Sequence, residues 1–171
     1  MTAAHVTLCF LLRDGSDGQE VLLGTKKTGF GTGKVVGVGG HLEAGETALE
    51  AACREVREEV HVTVVPQDLV FAGTVDFEFP RRPEWNMFTT VFLTGKWEGE
   101  PSESDEITPR WYGLETLPVE QMWADAEHWV PAMISGQRLA VRVILADDNE
   151  SVAEVHTAAC GDSATCLQPG A

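Results

Sequence analysis

The chain is poor in positive charge: 12 Lys and Arg stand against 27 Asp and Glu among 171 residues, a formal charge of −15. A nucleic-acid coat or an anionic-membrane binder relies on a basic surface, so both roles are excluded as expectations. No apolar run reaches the roughly 18 to 20 residues that a bilayer-spanning helix requires. The opening Met1–Gly15 segment also lacks the basic lead and cleavage region of a secretion signal, and a cytoplasmic, soluble protein is expected. The four cysteines lack zinc-ribbon or Cys-x-x-Cys spacing. Cys9 and Cys53 fall on apolar patterns and read as idle thiols, whereas Cys160 and Cys166 would pair only after oxidation.

What is present is ordinary globular material, 43% hydrophobic and 23% charged, enough for one domain with its own core. Val6–Leu12 and the run from Val21 read as a hairpin across the turn residues Asp14-Gly15-Ser16-Asp17-Gly18. Further strands are expected over 62–65, 69–79, 87–97, 107–112 and 138–145, and a helix over 126–135 in which Pro131 requires a late start. The domain is expected to span 1–146. The remaining 147–171 are acidic and then small-residue, with no Lys or Arg, and disorder is expected past about 150. The glycine-rich stretch 29–40 fits neither nucleotide-loop pattern: Thr28 occupies the first glycine position of a P-loop and Val36 the third glycine of the dinucleotide fingerprint.

The strongest local signal is a helix over 48–60, opened by the capping box Thr47/Glu50 and carrying Leu49, Ala52, Cys53, Val56 and Val60 at helical spacing. At about 100° per residue, Glu55, Glu58 and Glu59 share one stripe beside this apolar one. Like charges three and four residues apart repel, so stability alone does not select that stripe. A divalent cation reverses the sign, and all-oxygen ligands without a Cys or His cluster suit Mg²⁺ or Mn²⁺ better than zinc.

Gly40, five residues, Glu46, seven residues, Arg54-Glu55-Val56, one residue, Glu58-Glu59, one residue, His61-Val62 resembles the Nudix box, with His61 in place of its glycine. A left-handed helix end at that glycine would charge His61 roughly 1 kcal/mol of strain without removing a ligand. The resemblance implies an α/β fold, an α/β/α sandwich with a mixed β-sheet between helices, and Mg²⁺-dependent hydrolysis of a nucleoside diphosphate linked to another group. It further implies that Glu55, Glu58, Glu59 and the Gly39 carbonyl hold the metal, that Arg54 orients the glutamates, and that Glu46 buttresses the loop. The cluster Glu100-Pro-Ser-Glu103-Ser-Asp105-Glu106 offers one further acid from outside the box, and Glu103 is the expected one, as ligand and catalytic residue.

Beyond the box, Leu22-Leu-Gly-Thr-Lys26, the Glu103-Ser-Asp-Glu106 turn, Trp111 and Met122-Trp123-Ala-Asp125 resemble the oxidised-purine nucleoside triphosphatases of that family. This implies a nucleotide site lined by Thr7, Lys26, Phe30, Val36, Val38, Gly39, Gly40 and His41, a base walled by Phe77, Met87 and Trp123, and a purine edge read by Asp125. Val35-Val36 and Ala126 replace polar residues of that pattern, which loosens the implied base choice. The expected activity is a purine-selective nucleoside triphosphate diphosphohydrolase, acting also on oxidised forms such as 8-oxo-dGTP and releasing a monophosphate and pyrophosphate. Its partner is then the nucleotide, with a monomer favoured. The competing readings are a Nudix pyrophosphatase for ADP-ribose or dinucleoside polyphosphates, and a nucleotide-binding regulatory module without turnover.

Overall fold

The computed structural model describes residues 3–161. Nine strands form a mixed sheet: β1 (Ala4–Gly15), β2 (Gly18–Lys26), β3 (Val35–Val36), β4 (Val38–His41), β5 (Val70–Glu78), β6 (Met87–Thr94), β7 (Ile107–Gly113), β8 (Leu139–Leu145) and β9 (Val152–Ala159). The path β3-β2-β1-β6-β5-β8-β9 is extended by β4 pairing β1 and by β7 pairing β2. The β1–β6 and β5–β8 pairs are parallel and the others antiparallel.

Side-chain alternation divides the core between the two faces of this sheet. Cys9 and Leu11 of β1 and Phe92 of β6 pack with Val38 under Ala52, Val56 and Val60 of helix α1 (Ala48–Val60). Phe10, Val75, Val91, Val141 and Val143 pack on the other face against Trp129 and the short helix α2 (Val130–Ile134). Helices therefore flank a mixed sheet on both sides, the expected sandwich. Pro131 lies in the first turn of α2, where its missing N–H costs no helical bond, so the helix starts as late as the sequence requires. Burial holds the Cys9 and Cys53 thiols above their ordinary range, as suits idle cysteines. The Cys160–Cys166 pairing extends outside the described residues.

Two expectations need correction. The 62–65 stretch is no strand of its own: only Thr63 bridges to Glu98, while Val62 and Val64 are buried beside α1. The chain past about 150, read as disordered, instead forms β9, which pairs with β8 in seven register positions from Leu139↔Ala159 to Leu145↔Val152. Val152 and Val155 pack against the core, and a turn fixed by Asp148, which accepts from the amides of Glu150 and Ser151, joins the two strands. Cutting the chain after Ala146 should therefore strip β8 of its antiparallel partner and lower the melting temperature by roughly 5 to 10 °C. A thermal melt of the truncated chain matching the full chain would instead vindicate the boundary read from sequence.

Candidate functional site

Helix α1 forms as its sequence dictates. The Thr47 hydroxyl accepts from the Glu50 amide, and the Glu50 carboxylate accepts from the Thr47 amide, closing the capping box. At the other end His61 adopts φ 61°, the left-handed conformation that ends a helix, and its amide donates to the Arg57 carbonyl. Between these caps, Glu55 and Glu59 are buried while the Glu58 side chain is half exposed.

Arg54 organises the acidic side. Its Nε and Nη2 meet both oxygens of Glu46 at 2.8 and 2.9 Å, its Nη1 reaches Glu55 at 2.9 Å and Glu58 at 3.2 Å, and Nη2 donates to the His41 carbonyl at 3.0 Å. One planar guanidinium thus ties three glutamates to the end of β4, a geometry open to Arg and closed to Lys. The Arg54 bonds, with the Glu43 amide, hold the Glu46 carboxyl down to about 2. Glu46 thus joins the 43–46 turn to Arg54.

Glu55, Glu59 and Glu106 bring carboxylate oxygens within 4.8 Å of one another. Burial first, then the charges of Glu55 and Glu106, push Glu59 up to about 8. Burial also raises Glu55, against the opposing effect of Arg54. Three carboxyls this close resist ionising together, and a hard divalent cation is the partner that makes the arrangement favourable. The backbone leaves room for the cluster: a Cβ at Gly40 would lie 2.4 Å from the Glu55 oxygen, and one at Gly39 would overlap the Thr7 carbonyl at 1.8 Å. These carboxylates can coordinate a divalent metal.

Of the acids in the 100–106 turn, the one that lies with Glu55 and Glu59 is Glu106, and the expected Glu103 is not part of that cluster. Glu103 pairs with Lys27 and accepts from the Thr108 hydroxyl at 3.0 Å, which holds its carboxyl below the usual range, and it lines a neighbouring pocket with Glu58 and Glu106. Glu106 immediately precedes β7, and its carbonyl accepts from the Lys27 amide at 2.8 Å, so the β2–β7 ladder fixes its direction. The acidic turn was visible in the sequence; which of its members faces Glu55 and Glu59 depends on a strand pairing distant in the chain.

A single cavity of about 660 Å³ joins this acidic end to an aromatic one. Lys26, Phe30, Val36, Gly39, Gly40, His41, Phe77, Met87, Trp123 and Asp125 all line it, together with Arg54, Glu55, Glu58, Glu59 and Glu106. Phe30 stacks on Trp123 with ring centroids 5.0 Å apart, and Lys34 Nζ, paired with Glu150 at 3.2 Å, sits 5.1 Å from the Trp123 centroid. Asp125 is buried, accepts from Trp129 Nε1 at 2.7 Å, and is held above the usual carboxylate range by that burial. It lies among apolar walls of Phe10, Val35, Met122 and Ala126, with Thr89 also lining the cavity.

Thr7 and Val38 do not line the cavity. Thr7 lies opposite Gly40, and Cys9 opposite Val38, in the β1–β4 register, and Val38 packs under α1. Strand alternation thus sends both side chains to the α1 face, where the Thr7 hydroxyl is buried without a hydrogen-bond partner. Their neighbours Val6 and Leu8 face the cavity instead. Phe10, Trp129 and Glu106 belong to the cavity but were not singled out from sequence, and strand alternation alone offered no signal for Phe10 because it does not say which face holds the cavity.

A family model described as NUDIX domain matches residues 3–133. The chain is 42% identical over 137 residues to an oxidized purine nucleoside triphosphate hydrolase of Danio rerio, covering 80% of this chain and 83% of that protein. It is 38% identical over 120 residues to the protein of the same description from Mus musculus, covering 70% and 75% respectively. In fold it matches the mutator MutT protein of Bacillus halodurans with a TM-score of 0.72 at 24% identity, covering 90% of this chain and 97% of that one.

Proposed function

From the premise that this chain belongs to the NUDIX family, we infer that it is a nucleoside triphosphate pyrophosphohydrolase that takes purine nucleotides, including oxidised ones, as its relatives' descriptions indicate. One observation carries the reading: a single cavity has a three-carboxylate cluster at one end and a slot walled by Trp123, Phe77 and Met87, with buried Asp125, at the other. A nucleotide is amphipathic in the same sense, with a flat aromatic base and a polyanionic tail. An acidic protein accepts that tail only where a cation intervenes, so Mg²⁺ or Mn²⁺ is the cofactor of this reading. The chemistry such an ion supplies is neutralisation of phosphoryl charge and activation of water.

The chain's own residues do the rest. Glu55, Glu59 and Glu106 supply the ligands, and Arg54 keeps Glu55 in place through Glu46 and the His41 carbonyl. Trp123 and Phe77 stack on the base, and the Asp125 carboxyl reads ring N–H or amino donors. Glu58, half exposed at the rim of the cavity, accepts the proton of the attacking water. The water oxygen bonds to phosphorus, the anhydride P–O bond breaks, and pyrophosphate leaves with the electron pair.

The test is product identification with Mg²⁺ and a panel of normal and oxidised purine triphosphates, pyrimidine triphosphates, ADP-ribose and diadenosine polyphosphates. Monophosphate and pyrophosphate in equal amounts, fastest from a purine triphosphate, are expected. Faster turnover of ADP-ribose or of a dinucleoside polyphosphate, or no turnover of any, would overturn the reading. Among the described residues no helix is long and apolar enough to cross a membrane.

A further inference from the structure

His61 departs from the box glycine, and its backbone gives no reason for the exchange. At φ 61° a glycine sits without strain, whereas an L side chain is disfavoured. The imidazole therefore has to be accounted for by what it touches. Its Nδ1 lies 2.8 Å from the Ser102 hydroxyl, and the Ser102 amide donates at 3.0 Å to the carbonyl of Val60, the last residue of α1. Just beyond, Thr63 and Glu98 exchange backbone bonds at 3.0 and 2.9 Å. The segment 98–102 is thus fastened along the C-terminal end of the helix that carries Glu55 and Glu59.

Ser102 stands at the start of the short loop that delivers Glu106. The far side of that loop is held from β2: the Lys27 amide donates to the Glu106 carbonyl at 2.8 Å, and its ammonium donates to the Ser104 carbonyl at 2.9 Å and pairs with Glu103. Glu106 is thus held on the β2 side, and the His61–Ser102 contact ties the start of its loop to α1 through side chains. We propose that His61 is a positioning residue which, by holding Ser102 against the end of α1, presets the distance between Glu106 and the Glu55–Glu59 pair and so raises affinity for a divalent cation. Without the contact the loop keeps its backbone bonds to Val60 and Lys27 but gains freedom that the cation must remove on binding, and that ordering is subtracted from the affinity. The proposal rests on the reading of Glu55, Glu59 and Glu106 as cation ligands.

The experiment titrates the nucleotide-free full-length chain with Mn²⁺, following free Mn²⁺ by electron paramagnetic resonance, alongside thermal melts without metal. His61→Gly retains the left-handed helix end, so its melting temperature should not fall. Its Mn²⁺ affinity should drop by about three- to tenfold, the equivalent of one hydrogen bond. Ser102→Ala should lose the same factor, and the double variant no more than either single one, because both remove one contact. Equal Mn²⁺ affinity in wild type and His61→Gly, or losses that multiply in the double variant, would overturn the positioning role while leaving the cluster intact. A wild-type chain that takes up no Mn²⁺ would instead overturn the reading of the cluster, and the positioning role with it.

Discussion

Glu59→Gln should reduce turnover by about 10³-fold or more and at the same time make the metal-free protein more stable at neutral and mildly alkaline pH. The activity loss follows from removing one carboxylate of the Glu55–Glu59–Glu106 cluster, which leaves two anionic ligands where three converge. The stability gain follows from linkage. Burial and the neighbouring charges raise Glu59 from an ordinary 4.5 to about 8 in the folded protein. The folded state therefore holds a proton that the unfolded chain releases. Stability is fully present below about 4.5 and is lost as pH rises through about 8. Gln cannot ionise, so the variant should lack this pH slope and melt above wild type at pH 8 without metal. Added Mg²⁺ should raise the wild-type melting temperature with concentration and the variant's far less. Thermal melts from pH 5 to 9, with and without Mg²⁺, check both signs. A variant less stable than metal-free wild type at pH 8 would show that Glu59 is a structural acid and not a destabilised ligand.

Arg54→Lys should cost about 10- to 100-fold in activity although the charge is conserved. An ammonium is a point donor on a flexible stem and cannot meet both oxygens of Glu46, the Glu55 and Glu58 carboxylates and the His41 carbonyl together. Glu55 is then free to leave the position it holds beside Gly40. An acid signature accompanies the loss. Glu46, held down to about 2, contributes stability that is present above about 4.5 and lost as pH falls through about 2. In the variant that carboxyl moves back toward its ordinary value, so the fall in melting temperature between pH 5 and 2 should be shallower than in wild type. Kinetics at saturating Mg²⁺ together with acid melts separate this from a general loss of folding. Wild-type activity in Arg54→Lys would reduce the guanidinium network to a surface ion-pair cluster.

Helix α1 was legible almost residue by residue, because everything that defines it is local. The capping box spans four residues, the apolar and acidic stripes follow from a fixed rotation per residue, and the left-handed end at His61 is a property of one backbone position. Most strands were legible for a similar reason, since β-branched and aromatic runs between turn residues leave few alternatives. Strand β9 was not. Its Val-Ala-Glu-Val-His-Thr-Ala-Ala sequence lies at the sheet edge, where only Val152 and Val155 need to meet the core, so little in its composition separates it from a solvated tail.

The site divides along the same line. Parity along a strand says that Thr7 and Leu8 point to opposite faces, and nothing in the strand says which face holds the cavity; that required α1 to pack over Thr7 and Val38. The turn 100–106 contains four acids, and its sequence does not say which one meets α1; the pairing of Lys27 with Glu106 decided for that residue and left Glu103 to bind Lys27. By itself the sequence determined the carboxylate helix and the Arg54–Glu46 spacing, because helical rotation and residue chemistry act over short range, while Phe77, Met87, Trp123 and Asp125 were named only through the family resemblance. Only the tertiary structure decided which acid of the 100–106 turn lies with Glu55 and Glu59, which strand residues face the cavity and that residues 152–159 add an edge strand to the sheet, because each depends on hydrogen-bonded partners far away in the chain.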